Sequence, residues 1–250
     1  MEYSNDTMNS LPQPFVTIYI GPTPELATQD KAKRPLLLKD KDDNDRGTIQ
    51  PQVASTTVMG PSLPKFLIHK NLICYHSPFF AAAFNGNFIE GITQSMTLDV
   101  DKEAFGVLVN WFYSQGVVSE FGVQPTVVTL ARVWIMAERF MMPLLQNKVM
   151  DVIHDKVTSF GPVLWWPTGF AEFAQIANEH GDRDNQLVDI VVWALRWCDE
   201  AKFNYFTDQI PQEIFVKVAY QLKKVMDPDA DKLFSLEASR FYIATEEESK

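Results

Sequence analysis

Histidine and cysteine side chains close together are the raw material of a metal centre, and this 250-residue sequence places His69, Cys74 and His76 in one short stretch. Zinc needs three or four such ligands in tetrahedral array, and no fourth stands nearby. His69 reads better as a hydrogen-bonded structural side chain and Cys74 as a small core residue. Asp227, Asp229 and Asp231 repeat the first three spacings of a calcium loop, but Lys232 stands where glycine is needed and Ala238 falls at the closing position. Those aspartates read as a solvated turn. Trp165 and Trp166, followed by Pro167, could form a binding surface, although aromatics of that size more often plug a joint between domains. The sequence contains no GxSxG, P-loop, GxGxxG or HExxH. Hydrolase and nucleotide-binding readings therefore have no sequence support, and no catalytic, cofactor-binding or metal-ligating residue is expected.

The elements that would carry these residues fall into two kinds. FVTIYI (15–20) has the two-residue period of a half-buried strand, stopped by Gly21 and Pro22. Residues 22–63 hold several prolines and the block KDKDDNDRG without sustained periodicity, which predicts a long, mobile insertion. KFLI (65–68) predicts a second strand. Ser77-Pro78 then supplies an N-cap and a first-turn proline for a helix burying Phe80, Ala83 and Phe84. MTLDV (96–100) predicts a third strand, and Asp101 caps a helix with the stripe Phe105, Leu108, Val109 and Phe112. After Pro125, Val127, Leu130, Ala131, Trp134 and Ile135 share a helical face, and Pro143 starts another helix with Leu145, Val149, Val152 and Ile153.

Beyond Gly161, Pro162 and Pro167 only helical signals remain. GDRDN (181–185) reads as a loop, with Asn185 or Asp184 capping a helix that buries Leu187, Ile190, Val191, Ala194, Leu195 and Cys198. Pro211 opens a further helix carrying Phe215, Val218, Ala219 and Leu222. The expected division is a flexible tail at 1–14, an α+β unit at 15–158, an all-α extension at 159–240 and a second flexible tail at 241–250.

Charge excludes some partners. The net charge is −10, with −2 on residues 1–150 and −8 on residues 151–250, so neither half offers the clustered cations that phosphates require. Nucleic acid and anionic membrane surfaces are not expected partners. No window approaches the roughly 20 apolar residues of a membrane span, and the N-terminus lacks the pattern of a secretory leader. Two well-separated cysteines suit a reducing compartment, so the expected location is the cytosol or nucleus.

FLIHKNLICYHSPFFAAAFNGNFIEG (66–91) followed by MTLDVDKEAFGVLVNWFYSQGV (96–117) resembles the BTB/POZ domain. The resemblance rests on His69, Lys70, Leu72, Ser77, Phe79, Phe80, Phe84, Asp101, Phe105, Leu108, Phe112, Tyr113 and Ser114. It covers roughly 15–158 apart from the insertion. LVDIVVWALRW (187–197) looks like the helical tail behind BTB domains in many fungal proteins. The resemblance implies a BTB/POZ fold, a small β-sheet capped by helical hairpins, followed by an all-α extension. It also implies a protein-interaction module without catalysis, many members of which dimerise or hold a target against a cullin-RING ubiquitin ligase.

In such adaptors a hydrophobic-x-Glu motif after the first helical hairpin contacts the cullin, and Phe88-Ile89-Glu90 stands there in this sequence. The bland alternative is that Phe88 covers the hairpin and Glu90 is merely solvated. Two functions stay open: a cullin adaptor that recruits a target protein, and an oligomerising scaffold or transcription-related regulator with no ubiquitin role. Domain-swapped BTB dimers usually have a helix before the first strand, and an Asp at its head pairing with a basic residue after the second. Here Phe15 replaces that Asp, leaving Lys70 without its expected partner, so the swapped dimer is not expected and a monomer or another oligomer is.

Overall fold

A computed structural model of the chain describes residues 14–21, 63–119, 122–158, 169–180, 185–225 and 238–243. In β1 (Phe15–Ile20) the buried side chains are Val16, Ile18 and Ile20, as two-residue alternation dictates. This strand pairs antiparallel with β2 (Lys65–His69), Val16 opposite Ile68, and parallel with β3 (Ser95–Leu98), Ile18 opposite Met96. The order β2-β1-β3 puts the first strand of the sequence in the middle of the sheet. β3 stops short of the expected Val100 because the chain must turn for Asp101 to cap the next helix, accepting the Ala104 N–H at 2.8 Å.

Helices then alternate with sharp corners. α1 (Lys70–His76), read from sequence only as a lead-in, runs into α2 (Pro78–Asn85), where Ser77 caps and Phe80 and Phe84 are buried while Ala83 is only half-buried. A short α3 (Ile89–Thr93) precedes β3. α4 (Lys102–Ser114) buries Phe105, Leu108 and Phe112 as expected, and also Ala104, Val107 and Trp111, so it is apolar on more than one face. α5 (Val127–Arg139) starts at a Thr126 cap and buries Leu130, Ala131 and Trp134. α6 (Pro143–Thr158) packs against α5 with Leu145, Val149 and Ile153. These elements make the mixed α+β architecture, a three-stranded sheet with helices against it.

The C-terminal part is helical. α7 (Phe170–Glu179) packs on α5, α8 (Gln186–Trp197) on α6 and α7, and α10 (Gln212–Val225) on α8, with α9 (Glu200–Phe206) between. Asn185 caps α8 by accepting the Val188 N–H at 2.9 Å. Of the expected stripe on α10, Val218 is buried and Phe215 is half-buried against the core, whereas Ala219 and Leu222 lie at the surface and Ile214 is buried instead, so the apolar face is rotated from the one expected. Turning the helix this way sets two β-branched side chains against α8. A 3-10 turn, Ala238–Phe241, rests on α6 and α8. One hydrophobic core runs from Val16 to Phe241 through the described elements other than α3, and each fully buried Phe or Leu in it stabilises the fold by about 1.5–3 kcal/mol.

Two expected tail residues need correction. Pro14 accepts the Lys70 N–H at 2.9 Å, and Phe241 is buried because the groove between α6 and α8 offers it apolar cover. Residues 22–62 of the insertion, Trp165 with Trp166, the aspartates of 227–231, and residues 1–13 and 244–250 of the tails lie outside the described residues. Among the described residues no helix is long and apolar enough to cross a membrane.

Candidate partner-docking site

Phe88, Ile89 and Glu90 sit where α2 gives way to α3. Phe88 has extended backbone and occupies the N-cap position of α3, so its side chain and those of Ile89 and Ile92 follow one another at helical spacing. All three are exposed, by 65%, 64% and 74% of their surface, while Glu90 is half-buried. Folding that leaves three large apolar side chains mostly in water at the start and along one face of a short helix gains little in stability from them. Such a cluster suits a surface that another molecule covers. One edge of the Phe88 ring lies beside Gly86 at the end of α2, and the rest faces solvent.

This exposed helix is firmly mounted. Gln94, in left-handed backbone conformation (φ 50°), ends α3 and folds its side-chain amide back, donating to the carbonyls of Gly91 and, at 3.2 Å, Phe84. Lys70 donates to the same Phe84 carbonyl at 2.9 Å. A cation at the C-terminal end of α2 meets the negative end of the helix dipole. Lys70, expected to lack a partner, has thus found one in the backbone. Gly91 has no side chain for a steric reason: a Cβ there would collide with the carbonyl oxygen of Gly86. The Thr17 N–H donates to the Gln94 carbonyl at 3.0 Å and ties the end of α3 to the central strand.

The residues considered for metal binding serve separate purposes. His69 Nδ1 lies 2.9 Å from the Tyr113 hydroxyl, and the Phe15 ring is 4.3 Å from the imidazole. Cys74 is half-buried with its Sγ 3.7 Å from the Phe80 carbonyl, and burial pushes its thiol pKa up against the opposing influence of Lys70. His76 packs edge-on to Trp111 at 4.8 Å and stacks on Phe112 at 5.8 Å, and burial lowers its pKa. Among the described residues no group of three or more His, Cys, Asp or Glu side chains is arranged to hold a metal ion.

Reading by sequence named Phe88, Ile89 and Glu90 but missed Ile92, although its spacing from Phe88 and Ile89 places it on the same face of α3.

Residues 58–156 match the family model of the BTB/POZ domain. The match begins after β1, which joins the same sheet from the far side of the insertion. A search of curated proteins returns no match.

Proposed function

The chain carries a BTB/POZ domain, a protein-interaction module, and from that premise we propose that it is a substrate adaptor whose Phe88, Ile89 and Glu90, together with Ile92, dock a cullin of a ubiquitin ligase. The observation that carries this reading is the exposed apolar face of α3 beside a carboxylate. Burying apolar area yields about 25 cal/mol per Å², and Glu90 at its margin selects orientation more than affinity. The BTB/POZ unit spans 15–158 and the helical extension 159–240 recruits the target, in the cytosol or nucleus.

The test is a pulldown of the full chain with a BTB-binding cullin. Wild type is retained, and the Phe88→Ala, Glu90→Arg double variant is lost. Absence of cullin binding by wild type removes the adaptor reading and leaves an oligomerising scaffold, which light scattering at micromolar concentration then detects or rejects.

A further inference from the structure

The segment Phe241–Ile243 is held in a way that resembles peptide recognition more than the packing of a chain end. Asn147 uses both halves of its side-chain amide on the backbone of one residue: its Oδ1 accepts the Ile243 N–H at 2.7 Å and its Nδ2 donates to the Ile243 carbonyl at 2.9 Å. A paired contact of this kind reads the main chain, whatever side chain is attached. One turn along α6 the Asp151 carboxylate accepts the Tyr242 hydroxyl, and one turn further the His154 ring lies 6.4 Å from Phe241 and 5.8 Å from Trp193 of α8. Asn147, Asp151 and His154 share a helical face. That face and α8 make a groove with a main-chain clamp, a phenol acceptor and an aromatic slot.

The chain's own segment leaves part of this groove unused. Beside it, on the α10 side of α8, a cavity of about 20 Å³ is lined by Phe241, Trp193, Val192, Asp189, Arg196 and Gln221. The Gln221 Oε1, whose residue lines this cavity, is buried without a hydrogen-bond partner among the described residues, as is the His154 Nε2. Buried polar atoms without partners are costly, so a ligand carrying one more hydroxyl at the Phe241 position gains a bond that the resident phenylalanine cannot make.

We propose that the groove between α6 and α8 binds an aromatic-Tyr-aliphatic segment of a partner protein, and that Phe241–Ile243 occupies it in cis until such a segment displaces it. This inference uses none of the residues of the cullin-docking proposal and stands or falls separately from it.

The probe is a fluorescein-labelled peptide of residues 239–245, SRFYIAT, with variants carrying Tyr at the Phe241 position or phosphotyrosine at the Tyr242 position. In the full chain, Phe241→Ala with Tyr242→Ala empties the groove. This variant binds the peptide about ten-fold more tightly than wild type, and adding Asn147→Ala cancels that gain, as the loss of a paired hydrogen bond requires. The Tyr-for-Phe peptide binds more tightly still, and the phosphotyrosine peptide is rejected by the Asp151 carboxylate and by Asp155, one turn along α6, whose charge also acts on the Tyr242 hydroxyl. With unaltered wild type, excess peptide speeds deuterium exchange of residues 238–243, a readout that needs no substitution. No acceleration at saturating peptide, or binding indifferent to Asn147→Ala, overturns the proposal. So does a wild-type dimer that falls apart when Phe241 and Tyr242 are replaced, because the groove's partner is then the same segment of a second copy.

Discussion

The hydroxyl of Ser77 donates to the backbone carbonyl of Phe140 at 2.7 Å while accepting the Phe80 N–H at 3.2 Å, so one buried atom caps α2 and pins it to the end of α5. Ser77→Ala strips the cap and orphans a buried carbonyl. A loss of about 1–3 kcal/mol is expected, read as a lower urea midpoint at unchanged slope. A variant as stable as wild type would show that the cap and the long-range bond contribute nothing.

Gly91→Ala should separate mounting from contact at the docking face. The new methyl meets the Gly86 carbonyl oxygen, a backbone atom that cannot swing aside, and α3 must shift. Destabilisation of about 1–3 kcal/mol is expected from such overpacking. Phe88→Ala, whose side chain is mostly in water, changes the melting free energy by about 0.5 kcal/mol or less. Thermal melts of the two variants side by side decide the matter.

His76 sets an acid limit. Burial lowers its pKa from the ordinary 6.5, so below that value the unfolded chain takes up a proton that the folded one resists. Stability is full above pH 6.5 and declines as pH falls through the lowered value. Replacing His76 with Phe keeps an aromatic ring against Trp111 and Phe112 and removes the titration. The melting temperature of this variant should therefore fall less between pH 7 and pH 5 than that of wild type, and equal slopes would exclude His76 as the cause.

The two thiols should be slow nucleophiles. Burial, aided by the Asp199 carboxylate, raises Cys198 from 9.0 to about 11, and its Sγ donates to the Leu195 carbonyl at 3.1 Å. Burial raises Cys74 too. Iodoacetamide at pH 8 should label both far more slowly in the folded chain than in guanidinium, because only the thiolate reacts. As pH rises from 9 through 11 the folded state loses whatever stability the neutral Cys198 thiol contributes.

What could be read in advance was local. Val16, Ile18 and Ile20 announce their strand by alternation, and Ser77, Asp101 and Asn185 announce helix starts because a cap acts within three residues of itself. α1 escaped notice because it is short and His69 makes no side-chain cap. The phase of α10 escaped because Ile214 and Phe215 both begin plausible stripes, and only packing against α8 chooses between them. Phe88, Ile89 and Glu90 were visible through the resemblance, not through their own chemistry. The clamp on Ile243 lay beyond reach, since Asn147 is 96 positions away in sequence.

The place of β1 between β2 and β3 bears on how the chain folds. Both outer strands bond to β1 and not to each other, so the sheet cannot be completed until β1 has met partners far from it in sequence. Bringing two distant points of an unfolded chain together costs entropy that grows only logarithmically, about 0.6 kcal/mol for each doubling of the separation. Changing the sequence separation of β1 and β2 should thus leave equilibrium stability nearly intact while changing the folding rate, and the pair α5 and α6, neighbours in sequence, is free to assemble before the sheet does.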